Sequence, residues 1–183
     1  MIGSTYLETA TASLNDLINR ARFDGAHLSS TQLNWKPSED QWSIGQIFEH
    51  MHLATAPYLQ PMTEAIENAP FDRKGEVRHS WIGKLIIKAA GPDSNAPAPK
   101  QLIPGSGPHN GTVIEKFVAD YQRLAELAGL AAESDLVRTT IRNPFISLIR
   151  MNMADCFAVQ ISHAERHLGQ IEALKRHPGF PAA

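Results

Sequence analysis

The sequence predicts an all-α fold. Four segments carry apolar residues at the three- and four-residue spacing of an amphipathic helix, and each is long enough for several helical turns. No convincing strand pattern is present, although residues 137–141 have a brief extended character, and we find no internal repeat. A length of 183 residues suits one domain that spans residues 1–183 and buries a sizeable core without cross-links.

The first and third predicted helices cover residues 5–23 and 112–129. Thr5 and Thr112 are each followed three residues later by a glutamate, which is the pattern of a capping box. A glycine at or just after the end of each segment is expected to stop the helix. We therefore expect side-chain caps at the starts of both helices.

The second predicted helix opens at Ser43 and continues to Ile66. The Ser43 hydroxyl can cap the first turn while the side chain of Gln46 reaches back to the capping residue. Pro57 and Pro61 lie inside the apolar stripe, where each removes a backbone donor and crowds the preceding turn. We expect a kink at these prolines.

The fourth predicted helix covers residues 152–176, with Asp155 in its first turn, where a carboxylate suits the helix dipole. Its remaining residues of interest divide between two neighbouring faces. One face is apolar and is expected to join the core; it comprises Phe157, Ile161, Ala164, Leu168 and Ile171. The other face is the candidate site; it comprises Cys156, Gln160, His163, His167 and Gln170.

A short apolar helix at residues 81–90 and a proline- and glycine-rich loop at residues 91–111 separate the second and third helices. The short helix is too brief to cross a bilayer, and its apolar side chains need a surface that covers them. The loop is long for a compact domain, which is typical of a lid, a partner-binding arm or a mobile segment. Composition does not choose among these three roles.

Composition excludes several classes of function. The 17 lysines and arginines nearly balance the 19 aspartates and glutamates, and no basic stripe suited to nucleic acid is present. Cys156 is the single cysteine, so an intramolecular disulfide and a CxxC motif are excluded. Neither a secretory leader pattern nor an apolar run of membrane-spanning length is present. We therefore expect a soluble cytoplasmic protein without a nucleic-acid or membrane partner.

Two histidines spaced four residues apart are the most informative functional feature. His163 and His167 lie in the fourth predicted helix, where four residues advance about 40° around the axis, so both imidazoles can face one point. Two imidazoles alone hold a metal ion weakly, and a third donor must come from elsewhere in the chain. Cys156 lies on roughly the same face as a candidate fourth ligand, although a buried structural thiol is the preferred interpretation.

Two blocks of sequence resemble the signatures of the DinB and YfiT superfamily. The first is LNWKPSEDQWSIGQIFEHM at residues 33–51, and the second is NPFISLIR followed by ISHAERHLGQIEAL. In that family, a Trp-Ser-Ile helix start precedes one ligand histidine, and a His-x3-His-x2-Gln helix supplies two more. The resemblance covers most of the chain and implies that His50, His163 and His167 are the metal ligands, with Gln170 as the family glutamine.

The resemblance also implies a fold and an assembly. Members of the superfamily are four-helix bundles in the mirror variant of up-and-down topology, and many are dimers. We therefore expect a homodimer, with the metal pocket near the subunit interface or under the loop at residues 91–111. Members include thiol-dependent S-transferases, a mycothiol-dependent isomerase domain, proteins proposed to be hydrolases and many proteins with no known activity, so the family indicates the metal site better than the reaction.

Three imidazoles leave coordination positions open, and a metal ion in such a site can lower the pKa of a bound water or thiol to near neutrality. A zinc protease needs glutamate directly after the first histidine of the pair, where this chain has Ala164. Glu165 points about 100° further around the helix and is expected to be solvated or paired with a cation. Glu49 and Asp155 remain candidate helpers. Three glutamines are candidates to hold a water or to orient an imidazole: Gln46, Gln160 and Gln170.

We predict a metal-dependent enzyme that activates a low-molecular-weight thiol for transfer to a small-molecule electrophile. A hydrolase that uses metal-bound water is one alternative, and a non-catalytic metal-binding dimer is another. The thiol transferase and the hydrolase differ in whether turnover needs an added thiol. The non-catalytic dimer would differ from both in having a closed shell of metal ligands. Histidine ligands suit zinc, nickel, iron and copper alike, so the expected cofactor is a divalent ion, such as zinc, nickel or iron, whose identity the sequence does not determine.

Overall fold

The computed structural model describes residues 2–71, 75–94 and 97–182. These residues form six α-helices, two 3₁₀ turns at Lys100–Leu102 and Ala131–Glu133, and one antiparallel pair of strands. The helices are α1 (Gly3–Gly25), α2 (Ser30–Asn34), α3 (Ile44–Glu67), α4 (Trp81–Ala90), α5 (Thr112–Leu130) and α6 (Met153–Lys175). The strands are β1 (Thr140–Arg142) and β2 (Arg150–Asn152). Within the described ranges, no helix has both the length and the apolar character needed to cross a membrane.

The four long helices surround one core. α1 packs against α5 and α6, and α3 packs against the same two helices. Aromatic rings fill the centre, where Phe117 stacks on Tyr121 at 4.2 Å between ring centroids and meets Phe48 edge-on. The mostly helical fold predicted from the sequence is confirmed. This packing also sets α3 beside α6, which brings together the two helices that carry the candidate ligands.

Two of the predicted helix starts are confirmed. Ser43 caps α3 by accepting from the Gln46 backbone, while the Gln46 side chain accepts from the Ser43 backbone. Asn152 caps α6 through its side-chain oxygen. α3 continues through Pro57 and Pro61 without a break. The two prolines therefore do not end the helix, and a kink there stays a prediction.

The capping boxes predicted at Thr5 and Thr112 are wrong. α1 begins two residues before Thr5, at Gly3, whose backbone N–H donates to the Gly75 carbonyl. Thr112 is already the first residue of α5, and its hydroxyl donates to Asn110 instead. A capping side chain must belong to the residue that precedes the helix, and neither threonine occupies that position.

The all-α fold class omitted the strand pair of β1 and β2, and the short helix α2 was not predicted. The strands have three residues each and α2 has five, which is too few to give a readable periodicity. The extended character expected at residues 137–141 includes two of the three residues of β1. Asn143 holds the turn between the strands, because its side-chain oxygen accepts from the backbone N–H groups of Phe145 and Ile146. The hairpin thereby presents two apolar side chains toward the cavity described below.

The helix predicted at residues 81–90 is confirmed as α4. It packs on α6 through the fully buried carboxylate of Asp155, which accepts from His79 Nδ1 at 3.0 Å and from the Ser80 hydroxyl at 2.6 Å. Gly83 lies so close to this carboxylate that a β-carbon at that position would overlap it. Asp155 therefore serves to attach α4 to α6.

Candidate metal centre

Three histidines meet between α3 and α6. His163 and His167 lie one turn apart on α6, and His50 reaches them from α3. The Nε2 atom of His163 is 3.1 Å from Nε2 of His50 and 3.1 Å from Nε2 of His167. All three donor atoms lie within 4.8 Å of one another. The structure thus brings together the three residues that the sequence analysis selected.

Hydrogen bonds on the outer nitrogens orient two of these imidazoles. His50 Nδ1 lies 2.7 Å from the carbonyl oxygen of Leu102, and His167 Nδ1 lies 2.8 Å from Gln170 Oε1. Because both partners accept, each Nδ1 carries the proton and each Nε2 presents a lone pair to the centre. This is the tautomer that a metal ligand needs when it binds through Nε2.

The spacing of the imidazoles fits a divalent ion. In a tetrahedral site with zinc–nitrogen bonds of about 2.0–2.1 Å, neighbouring nitrogens lie about 3.3 Å apart. The two Nε2–Nε2 separations of 3.1 Å are close to that value. Neutral nitrogen donors suit zinc, nickel and iron, and three protein ligands leave a tetrahedral shell incomplete. The group can therefore hold a divalent ion and leave a position for a further ligand.

Burial keeps the three imidazoles neutral. His50 and His167 are each 3% exposed, and His163 is half-buried. Loss of hydration lowers the pKa of all three histidines below the ordinary value, and the pKa of His167 falls to about 3. The guanidinium of Arg166 lowers each pKa further, because its positive charge opposes a second one nearby. At neutral pH the lone pairs are therefore available for a metal ion.

The three candidate glutamines occupy different positions. Gln170 accepts from a candidate ligand, as described above. The buried Oε1 of Gln160 accepts from the Thr55 hydroxyl at 2.8 Å, which joins α6 to α3. Gln46 completes the capping box that Ser43 forms at the start of α3, and its Nε2 donates to the Gly105 carbonyl at 3.0 Å. Gln170 is thus placed to orient an imidazole, whereas Gln46 is engaged in a helix cap and in a contact with the loop.

Replacing Gln170 with alanine is expected to lower zinc affinity about 10-fold, because lost outer partners of metal-binding histidines typically cost about 10- to 100-fold and this side chain is exposed. Competition titration against a chromophoric chelator measures the affinity. Gln60→Ala is the matched control, since Gln60 is also an exposed helical glutamine and bonds to Glu64. Equal zinc affinities for the two variants would show that Gln170 does not orient its histidine for metal binding.

Other candidates from the sequence serve different contacts. Cys156 is fully buried outside the histidine group, and burial raises the pKa of its thiol far above the ordinary value. Glu165 pairs with Arg20 at 2.7 Å, as expected for a cation partner. Glu49 accepts from a backbone N–H of the loop at 2.6 Å, and Asp155 attaches α4. None of these contacts makes Cys156, Glu49 or Asp155 a helper at the imidazoles.

A cavity of about 760 Å³ opens beside the three imidazoles. Its wall includes parts of α3, α4 and α6, the hairpin turn and loop residues 97–99, 101 and 102. Residues 95 and 96 of the same loop lie outside the described part of the chain. Trp42 flanks the centre, with its ring centroid 4.7 Å from that of His50 and 6.4 Å from that of His167. The site is therefore a group of three histidines that could hold a metal ion, on the wall of a cavity large enough for a small molecule.

Comparisons with known proteins identify a family and a relative of this chain. A family model for the DinB superfamily matches residues 7–171, which include all three histidines. The chain is 26% identical over 150 residues to the uncharacterized protein YuaE of Bacillus subtilis (strain 168), and the match covers 81% of this chain and 86% of that protein. No solved structure matches the chain significantly. The family resemblance inferred from the two sequence blocks is confirmed.

Proposed function

The chain belongs to the DinB superfamily, and from this premise we propose that it is a metal-dependent enzyme that transfers a low-molecular-weight thiol to an electrophile. One observation carries the proposal: three neutral imidazoles direct their Nε2 atoms to one point on the wall of a large cavity. When bound there, a divalent ion would lower the pKa of a thiol to near neutrality.

The protein's own residues would position the reactants. The Leu102 carbonyl and Gln170 fix two imidazoles in the binding tautomer. Arg166 lines the same cavity, and its positive charge favours an anionic sulfur near the imidazoles. In the proposed reaction the S–H bond breaks and its proton passes to solvent. The sulfur then forms a bond to an electrophilic carbon, whose leaving group departs with the electron pair of the broken bond.

The cavity favours a thiol over water as the nucleophile. A free thiol has a pKa of about 8.5 and needs little help to ionise at neutral pH, whereas hydrolysis usually requires a general base beside the water. Among the described residues that line the cavity, Asp40 is the only carboxylate, and it is exposed in the segment before α3. Outside the three candidate ligands, His177 and Asp40 are therefore the candidate bases among the described lining residues, so the cavity offers few groups that could activate a water.

A direct experiment compares turnover with and without an added thiol. Zinc-, nickel- or iron-loaded protein is mixed with 1-chloro-2,4-dinitrobenzene and with cysteine or coenzyme A, and product is followed by absorbance. We expect a rate above the uncatalysed one that requires both the metal ion and the thiol, and that is lost in His163→Ala. Metal-dependent hydrolysis of ester probes without any thiol, and no thiol transfer, would overturn the proposal in favour of a hydrolase.

We further propose that residues 1–183 form one domain with the mirror variant of up-and-down four-helix topology. The DinB model matches residues 7–171, and the buried residues of all four long helices belong to one core cluster. A crystal structure would test the handedness of the helix connections. The opposite handedness would contradict this topology.

We also propose a homodimer that forms through the outer face of α4. Trp81 and Leu85 on that face are 74% and 57% exposed, whereas Ile86 and Ile87 are half-buried against the core. Replacing Trp81 and Leu85 with serine should weaken dimerisation at least about 10-fold, since buried apolar area drives association. Sedimentation velocity over a concentration series measures the effect, with Phe23→Ser as the control because Phe23 is 81% exposed on α1. A wild-type monomer at high concentration would contradict the proposal.

A further inference from the structure

The cavity extends in both directions from the imidazoles. Along α6 its wall runs from Val159 to Leu174, a rise of about 22 Å at 1.5 Å per residue. α3 runs antiparallel to α6, because Thr55 contacts Gln160, whereas His50, earlier in α3, contacts a histidine later in α6. The wall near the start of α6 is therefore completed by the later residues of α3.

Apolar and aromatic side chains form this end of the cavity, which we call the aromatic end: Ala54, Tyr58, Phe145, Ile146 and Val159. The rings of Tyr58 and Phe145 pack edge-on, with centroids 5.9 Å apart. Ala54, Tyr58 and Val159 are buried, Phe145 is half-buried, and Ile146 is 53% exposed at the hairpin turn. The aromatic end thus combines a buried inner wall with an outer wall at the protein surface.

The polar side-chain atoms of Tyr58 and Asn143, which line the cavity at the aromatic end, are already hydrogen-bonded to the protein. The Tyr58 hydroxyl accepts from Asn143 Nδ2 at 2.8 Å and donates to Met151 Sδ at 3.8 Å. The side-chain oxygen of Asn143 accepts from two backbone N–H groups of the hairpin turn. A polar group of a ligand would lose its hydration here without gaining a partner from these side chains. An apolar group would gain by leaving water.

We infer that the aromatic end is the acceptor subsite and binds an uncharged aromatic or alkyl group of the electrophile. The assignment of this end to the electrophile rests on the proposed function, because a thiol bound beside the imidazoles would face a second reactant bound in the aromatic end. The opposite end offers polar side chains to the thiol, including Asp40, Gln170 and His177. One end of the cavity would therefore bind the apolar acceptor, and the other end would bind the hydrophilic thiol.

A neutral fluorescent probe tests the subsite. N-phenyl-1-naphthylamine is titrated into the full chain, both metal-free and zinc-loaded, and its fluorescence gives the dissociation constant. Ala54→Leu fills the aromatic end from α3, and Phe145→Ala removes one of its rings. Leu148→Ala is the control, because Leu148 belongs to the same hairpin, is 92% exposed and does not line the cavity.

We expect the wild-type protein to bind one probe molecule, with affinity at least about 10-fold weaker in Ala54→Leu and about 5-fold weaker in Phe145→Ala. The Leu148→Ala protein should match the wild type within about twofold. Circular dichroism verifies that each variant is folded. If Ala54→Leu is not folded, Phe145→Ala decides alone, since its side chain is half-buried near the surface. Unchanged probe affinity in Phe145→Ala, or an equal loss in Leu148→Ala, would overturn the assignment.

The probe separates this inference from the proposed function because its binding needs neither thiol nor metal. If the probe binds as expected but no thiol transfer is detected, the apolar subsite is supported and the proposed thiol reaction is contradicted. If thiol transfer to 1-chloro-2,4-dinitrobenzene occurs but the KM for this electrophile is unchanged in Phe145→Ala, the reaction is supported and the subsite is overturned. A raised KM for the electrophile with an unchanged KM for cysteine is the result we expect.

Discussion

Each of the three single substitutions His50→Ala, His163→Ala and His167→Ala should reduce bound zinc from one ion per chain to a small fraction of an ion. Each substitution leaves two imidazoles. Loss of an outer hydrogen-bond partner can lower metal affinity by up to about 100-fold, and loss of a direct ligand should lower it further. The fold should survive, because the four long helices share an extensive apolar core. Metal content of dialysed protein, measured by atomic emission, gives the stoichiometry.

His27→Ala is the matched control for these variants, because His27 is exposed and lies outside the histidine group. It should retain one ion per chain. Any of the three variants that also retains full stoichiometry would remove that histidine from the ligand set. Complete unfolding after chelation would show instead that the ion is structural, as in small domains that fold only with their metal.

The metal-free protein should lose stability as the pH falls from 7 to 5. Burial lowers the pKa of the three histidines in the folded state, whereas the unfolded chain has the ordinary value near 6.5. Below that value the unfolded state binds protons that the folded state does not, so the free energy of unfolding decreases. Above about pH 6.5 the histidines are neutral in both states and do not lower the free energy of unfolding. Below that pH the free energy of unfolding falls progressively until the pH reaches the folded-state pKa, which is about 3 for His167.

The expected loss at pH 5 is about 2 kcal/mol for each histidine that stays neutral, which is large against a typical domain stability of about 5–15 kcal/mol. Urea unfolding at pH 7, 6 and 5 on chelator-treated protein measures it. A His163→Asn variant has one titrating group fewer and should show a shallower dependence on pH. A free energy of unfolding that does not change between pH 7 and 5 would contradict the lowered pKa values.

Helical register made part of the site predictable. His163 and His167 follow from a four-residue spacing on one helix, and Ser43 and Asn152 cap their helices with side chains that have a strong preference for that position. Local patterns of this kind depend on neighbours in the sequence. The pairing with His50 needed the family blocks, because periodicity does not show which helices pack together.

The remaining contacts depend on tertiary structure and left no local pattern. Leu102 orients His50 through a backbone carbonyl, a group that every residue carries. Phe145 reaches the cavity from a hairpin whose strands are too short for a visible alternation. Gln46 was expected near a ligand from its register on α3, but its side chain is engaged by the Ser43 cap and the Gly105 carbonyl. Helical register gives the direction of such a side chain and does not identify its partner.

X-ray absorption spectroscopy of the zinc-loaded protein, before and after addition of cysteine, tests the central claim most directly. That claim is an open three-histidine centre that accepts a thiol. The spectrum should show three imidazole neighbours in both states, and a sulfur neighbour at about 2.3 Å should be present only after the thiol is added. A complete shell of protein ligands that cysteine does not change would contradict the account.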